Sequence, residues 1–335
     1  MKENINEIII NKIQESISPN EKLVTYLMDK LSIGRESAYR RIRNQIPFAF
    51  DEIVKLADDI GFSVDSIIGR HKAESFLIEI IPNFTGNPHE SFISGFSSYL
   101  DFLFKFQKSE RRDITMIINR LTPIHVFSQN YILKFYYYKW MRQFSFIPLD
   151  LSYSKITIPS EVTEIIKKIS DIFFQLPNFS YTCILDQYIY LNILKEIQYY
   201  YRRKLISKED LALIRKDFLD LFAIIEEMIL SGTKYNHKHR SYISMHSIEA
   251  TCIHVSLDEE EITSFTPCSL FPMWTTNNDL CELIKRWIES LKKHSTFITN
   301  SNEYIQSAFI KKQYEYINDY LSEDSKSPIF SFMNE

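Results

Sequence analysis

Four arginines, Arg35, Arg40, Arg41 and Arg43, fall within the stretch "GRESAYRRIRN" (Gly34 to Asn44), beside Glu36, Ser37 and Tyr39. These side chains share a chemistry. A guanidinium offers a fork of donors that fits a phosphate or the acceptor edge of guanine, and a glutamate accepts from the amino group of cytosine. Hydroxyl and phenol groups add further hydrogen bonds. A plain solvated helix face carries the same residue types, so their meaning depends on the elements that position them.

A helix beginning at Arg35, turning roughly 100° per residue, puts Ala38 and Ile42 on one side. Glu36, Arg40 and Arg43 lie opposite, Ser37 sits on the flank, and Tyr39 and Arg41 occupy the two edges. Ala38 is small enough to let a second helix approach closely. Gly34 is an acceptable N-cap. "QIPF" ends the helix, because a residue before proline avoids the helical region.

The neighbouring segments read as short helices. Ile5, Ile9, Ile13 and Ile17 recur every four residues, with Ile8 beside them, and form one apolar stripe. "SPNE" carries a capping Ser18, a Pro19 suited to the first helical position and a Glu21 that closes a capping box. The second helix is therefore expected over 19–31, with Leu23, Val24, Leu27, Met28 and Leu31 on its core side. Asp51 and Glu52 open a fourth helix, where acids favour the positive end of the dipole. Ile53, Leu56, Ala57 and Ile60 form its buried face. Gly61 fits the left-handed position that closes it, and Ser63 caps a last turn, "VDSIIG".

Residues 21–69, from "EKLVTYLMDKLSIGRESAYRRIRN" through "PFAFDEIVKLADDIGFSVDSIIG", resemble a bacterial helix-turn-helix domain of the phage Cro and repressor type. The resemblance implies a four- to five-helix bundle whose third helix enters the major groove of double-stranded DNA. Arg35, Glu36, Ser37, Arg40 and Arg43 would then be groove-facing, with Arg40 and Arg43 reading bases. Arg41, Lys22 and the N-terminus of the second helix would touch phosphates. Asn44 stands where many relatives have glycine, and Ala49 where a serine cap is usual. Residues 1–70 hold ten basic and eleven acidic residues. A DNA-binding unit is usually basic overall, so any attraction must come from the third helix itself.

Residues 71–335 read as a larger α-rich α+β domain with a few strands, and the whole chain as mainly α. "FLIEII" is expected to be a strand ended by Pro82, followed by a helix with Ile93, Phe96, Leu100, Leu103 and Phe104 on one face. "ITMIINRL" (Ile114 to Leu121) suggests a second strand and hence one βαβ crossover. Helices are expected over 129–143, 160–176, 185–204, 208–230, 278–293 and 302–321. "TKYNHKHR" reads as a polar loop, "SYISMHSIEATCIHVSL" followed by "DEEE" and "ITSF" as a β-hairpin, and 322–335 as a frayed, flexible tail. No 34-residue helical repeat is evident.

The remaining chemistry is sparse. His237, His239, His246 and His254, with Cys252 nearby, match no usual zinc spacing. The aromatic run "KFYYYKW" (Lys134 to Trp140) reads as core in a chain with 25 Phe and 20 Tyr. No phosphate-loop, nucleophile-elbow or metalloprotease signature appears. Neither a catalytic constellation nor a cofactor is expected. Cys183, Cys252, Cys268 and Cys281 show no CxxC spacing and read as reduced thiols. "MKENINEIII" lacks a signal-peptide pattern, and the apolar segments are too short or too charged to span a bilayer. A net charge of −4 gives no chain-wide affinity for nucleic acid. The expectation is a cytoplasmic transcriptional regulator that works as a homodimer. Residues 1–70 would bind DNA, and the larger domain would dimerise or respond to a small-molecule or peptide effector. The alternative is an interaction protein that uses the first unit as a docking module.

Overall fold

The computed structural model describes residues 5–17, 22–60, 62, 64, 79–80, 86–176, 179–234, 237–268 and 271–329. Contacts divide the chain into two units, Met1–Leu77 and Ile78–Glu335, a boundary later than the expected residue 70. The protein is mainly α, with an α+β part in the second unit.

The first unit contains α1 (Ile5–Ser16), α2 (Leu23–Leu31), α3 (Arg35–Ile42) and α4 (Phe50–Ile60). Ile9, Ile13, Leu27, Ala38 and Leu56 are fully buried and form one core. Ile5, expected on the same stripe, is 44% exposed. Asn6 takes the inward position instead. Its Nδ2 donates to the Ile46 carbonyl (3.1 Å), and its Oδ1 accepts the Phe48 N–H (3.1 Å). Satisfying those two buried backbone groups turns the adjacent Ile5 outward.

The expected start of the second helix is overturned. Lys22 has extended backbone (φ −82°, ψ 127°), so the helix begins at Leu23. The Ser18, Pro19 and Glu21 signals lie outside the described residues, as do Gly61, Ser63 and all of "VDSIIG" but Val64. Ser32 adopts the left-handed conformation (φ 53°) at the end of α2, and Ile33 and Gly34 lead into α3.

The second unit is built on a nine-stranded mixed sheet. Its strands are β1 (Glu79–Ile80), β2 (Arg112–Ile118), β3 (Ser180–Leu185), β4 (Thr233–Lys234), β5 (His237–Ser244), β6 (Cys252–Leu257), β7 (Glu260–Cys268), β8 (Phe271–Thr275) and β9 (Ser295–Phe297). The order is β1-β8-β7-β6-β2-β3-β5-β4, and β9 also pairs with β5. Only the centre, β2-β3-β5, is parallel. Parallel neighbours need long crossovers. Between β2 and β3 the chain forms α6 (Pro123–Val126), α7 (Asn130–Gln143) and α8 (Ser160–Gln175), and between β3 and β5 it forms α9 (Leu191–Arg202) and α10 (Lys208–Ser231). The remaining helices are α5 (Pro88–Lys108), α11 (Asn278–Lys293) and α12 (Glu303–Tyr320).

Strand parity sorts the core. Met116, Ile118, Cys183, Leu185 and Ile243 join the large helical core on one face. Ile117, Ile184 and Cys252 join Ile288 of α11 on the other. Helices therefore cover both faces, and β2 and β3 end in apolar runs, Met116–Ile118 and Cys183–Leu185.

Several expectations are corrected. The strand–helix–strand crossover from β1 to β2 does not form, because β1 pairs antiparallel with β8, with β7 and β6 between it and β2. The hairpin expected over "SYISMHSIEATCIHVSL", "DEEE" and "ITSF" forms between β6 and β7, which pair antiparallel from Cys252–Phe265 to Leu257–Glu260, whereas "SYIS" belongs to β5, separated from β6 by β2 and β3. "TKYNHKHR" supplies β4 and the start of β5 rather than a loop. The helix expected from 185 begins at Leu191, because Leu185 closes β3. Phe104 is 43% exposed, while Phe92, Phe96, Leu103 and Phe106 line the buried face of α5. Residues 322–329 are tied down: Arg202 donates to the carbonyls of Ser325 (2.9 Å) and Ser327 (2.7 Å), and Lys208 pairs with Glu323 (2.7 Å). No helix among the described residues is long and apolar enough to cross a membrane.

Candidate nucleic-acid interface

The α3 face is set by what Ala38 does. With no atoms beyond Cβ, Ala38 sits fully buried in the core that α3 shares with α1 and α2. That contact fixes the rotation of α3 and sends Arg35, Glu36, Tyr39, Arg40 and Arg43 to the exposed side. Gly34 is extended at the N-cap (φ −70°, ψ 156°), with no side chain to obstruct approach to the first turn. Lys22 is exposed at the N-cap of α2.

Tyr39 organises two of the arginines. The guanidinium carbons of Arg35 and Arg43 lie 5.8 and 5.6 Å from its ring centroid. Such cation–π contacts restrain a long side chain without consuming its donors. Among the described residues, Arg35, Arg40 and Arg43 form no ion pair.

Arg41 and Ser37 differ from the rest of the set. The Arg41 Nε donates to Glu52 Oε2 (3.0 Å) and its Nη2 to Glu52 Oε1 (2.7 Å). Its Nη1 donates to Ser37 Oγ (2.7 Å) and to the Ser37 carbonyl (3.2 Å). Both residues are half-buried. The fork expected to meet a phosphate is thus already filled from within the fold. Glu52 is the residue that sequence reasoning missed. It also accepts the Ala49 N–H (2.9 Å), the glutamate half of a capping box at the start of α4. The signal was present: Ala49 to Glu52 is the spacing at which a glutamate reaches back to the N-cap.

Asn44 takes the left-handed conformation (φ 58°) and donates to Glu7 Oε1 (2.9 Å). Tyr26 donates to Asp59 (2.7 Å), and Lys30 pairs with the same carboxylate. Hydrogen bonds from Lys30 first and Tyr26 second hold Asp59 below the usual carboxylate range. Glu7, Glu52 and Asp59 are therefore engaged inside the unit.

The histidine cluster is divided by the sheet. His237 and His239 lie in phase with Ile243 and face the large helical core. His254 lies in phase with Cys252 and faces α11. There its Nδ1 is 3.0 Å from Thr263 Oγ1, and its Nε2 is 2.8 Å from Glu261 Oε2. Burial lowers the His254 pKa, and Glu261 opposes that shift. Glu261 in turn binds Lys285 (2.9 Å) and Ser256 (2.6 Å). No group of three metal-ligating side chains occurs among the described residues. In "KFYYYKW", Phe135, Tyr138 and Trp140 are core. The Tyr138 hydroxyl donates to the Leu151 carbonyl (2.6 Å), and the Trp140 Nε1 donates to the Pro88 carbonyl (2.8 Å). No protein-family model, curated protein or solved structure matches this chain.

Proposed function

We propose that the chain is a sequence-specific, DNA-binding transcriptional regulator. In this reading α2 and α3 form a helix-turn-helix, and α3 lies in the major groove of double-stranded DNA. Arg40 and Arg43 read base edges, and Arg35, Glu36 and Tyr39 share their face. Lys22 meets a phosphate at the start of α2. Arg41 and Ser37 hold α3 against α4 instead of touching DNA. The second unit dimerises or responds to a signal, without catalysis, and the protein acts in the cytoplasm.

The observation that carries this reading is the division of the arginines. One is fully engaged inside the fold, while three stay exposed on a single helix face without an ion pair among the described residues. A purely solvated helix has no need for that division.

The test is binding of the full-length protein to duplexes from around its own gene, across a salt series, with a scrambled duplex as competitor. Specific binding should fall with a slope of about −0.9 per neutralised phosphate in log K against log salt. An Arg40→Ala/Arg43→Ala variant should lose it. Unchanged binding in that variant would remove α3 from the interface.

One observation favours a second reading. Phe50 is 68% exposed and Val54 36%, one turn apart on α4. An exposed apolar pair on a unit with an acidic balance suits a protein-docking module. Salt separates the two readings, since docking through Phe50 and Val54 would show little salt dependence.

A further inference from the structure

Between strands β2, β3 and β5 and helices α8 and α10 lies a partly enclosed cavity of about 160 Å³. Met116, Leu185, Ile169, Phe173, Leu221 and Ile225 make most of its wall apolar. Among the described residues, no aspartate, glutamate, lysine or arginine lines it. His125, His239 and Ser241 do line it. His239 Nε2 is 2.6 Å from Ser241 Oγ, and His125 lies close enough to His239 to disfavour its charged form. His125 Nδ1 is already engaged by Thr122 Oγ1 (2.9 Å). His239 is only 6% exposed, yet its Nδ1 has no hydrogen-bond partner.

A buried polar atom without a partner costs free energy unless something else satisfies it. The residue that carries it lines a cavity that has room for a molecule. An apolar cavity of about 150 Å³ is large enough for benzene. An occupant on the order of six to ten non-hydrogen atoms therefore fits. Burial pushes both His125 and His239 down to about 4, so both are neutral near pH 7. A charged ligand would find no counter-charge, and its desolvation would go unopposed.

We propose that this cavity binds a small, neutral, mostly apolar molecule carrying one hydroxyl or carbonyl oxygen, held by a hydrogen bond to His239 beside His125 and Ser241. The proposal does not depend on DNA binding by the first unit.

The test uses three probes of similar size on the full chain: phenol, toluene and benzoate. Binding is measured by calorimetry, and the histidine ring resonances of histidine-labelled protein are followed by NMR. Phenol should bind about tenfold more tightly than toluene, the worth of one net hydrogen bond, and should shift the His239 resonances. Benzoate should not bind. His239→Leu should equalise phenol and toluene, and Ile225→Phe, which fills the cavity, should remove both. If His239→Leu fails to fold, the ring resonances of the unsubstituted protein decide. Equal affinity for phenol and toluene would overturn the proposal, as would tightest binding of benzoate. So would the absence of binding by any probe, or phenol binding that leaves the His239 resonances in place.

Discussion

Arg41 and Glu52 meet through two hydrogen bonds, of 3.0 and 2.7 Å, and the same carboxylate closes the start of α4 by accepting the Ala49 N–H. One glutamate thus caps a helix and fixes the helix beside it. The side chains are only 12% and 17% exposed, so solvent screens the pair weakly. Removing Arg41 leaves Glu52 half-buried with the Ala49 N–H as its remaining partner. Arg41→Ala should lower stability by about 1.5–3 kcal/mol, read as a lower urea midpoint at unchanged m-value. Arg41→Lys should not restore it, because an ammonium cannot span both carboxylate oxygens and Ser37. If α3 binds DNA, Arg41→Ala should leave the salt slope alone, whereas Lys22→Ala, which removes a phosphate contact, should reduce its magnitude by about 0.9.

Asn44 gives a separate test of the backbone. At φ 58° it sits where a Cβ is strained, and asparagine is among the few non-glycine residues that tolerate the position. Asn44→Ala should destabilise by about 1–2 kcal/mol. Asn44→Gly should cost less, losing only the exposed bond to Glu7. Melting temperatures of the two variants should differ in that order, and equal losses would assign the effect to the side chain.

The first unit was largely legible because its signals are local: apolar spacing, a glycine before α3, a proline after it. The exposed arginines follow from the position of Ala38 on one helix. The engagement of Arg41 does not, since its partner lies on another helix. The second unit resisted for the same reason on a larger scale. "TKYNHKHR" looks like a polar loop, yet its alternate residues His237 and His239 are buried in β5. Hydropathy does not distinguish a solvated histidine from one facing a cavity. Strand order is a choice among long-range partners, so the local hairpin of β6 and β7 was legible in the sequence, whereas the placement of β2 and β3 between β5 and β6 was not.

Gly95 marks the tightest approach between α5 and the sheet. A Cβ there would overlap the ring of Phe271. That ring cannot retreat freely: Phe92, Phe96 and Trp140 pack edge-on around it, with centroids at 5.4, 5.6 and 5.3 Å. Gly95→Ala should therefore destabilise by about 1–3 kcal/mol through overpacking, although alanine is the better helix former. Near-UV circular dichroism should report the disturbed aromatic cluster, and a gain in stability would show that the cluster yields.

Acid should weaken the second unit through its cavity histidines. His125 and His239 are lowered by burial from 6.5 to about 4. Between those values the unfolded chain binds protons that the folded chain refuses, so stability rises with pH across the window and falls as pH drops from 6.5 towards 4. Each histidine contributes a slope of up to about 1.4 kcal/mol per pH unit. His237 is lowered as well, again mainly by burial, and adds in the same direction. Urea midpoints at pH 7, 6 and 5 should decline for the unsubstituted protein and decline less for His125→Gln/His239→Gln. Parallel declines in the two proteins would place the acid sensitivity elsewhere. A neutral ligand hydrogen-bonded to His239 would add its own binding free energy to the folded state. Saturating phenol should then raise the midpoint of the unsubstituted protein near pH 7 and leave that of His239→Leu where toluene leaves it.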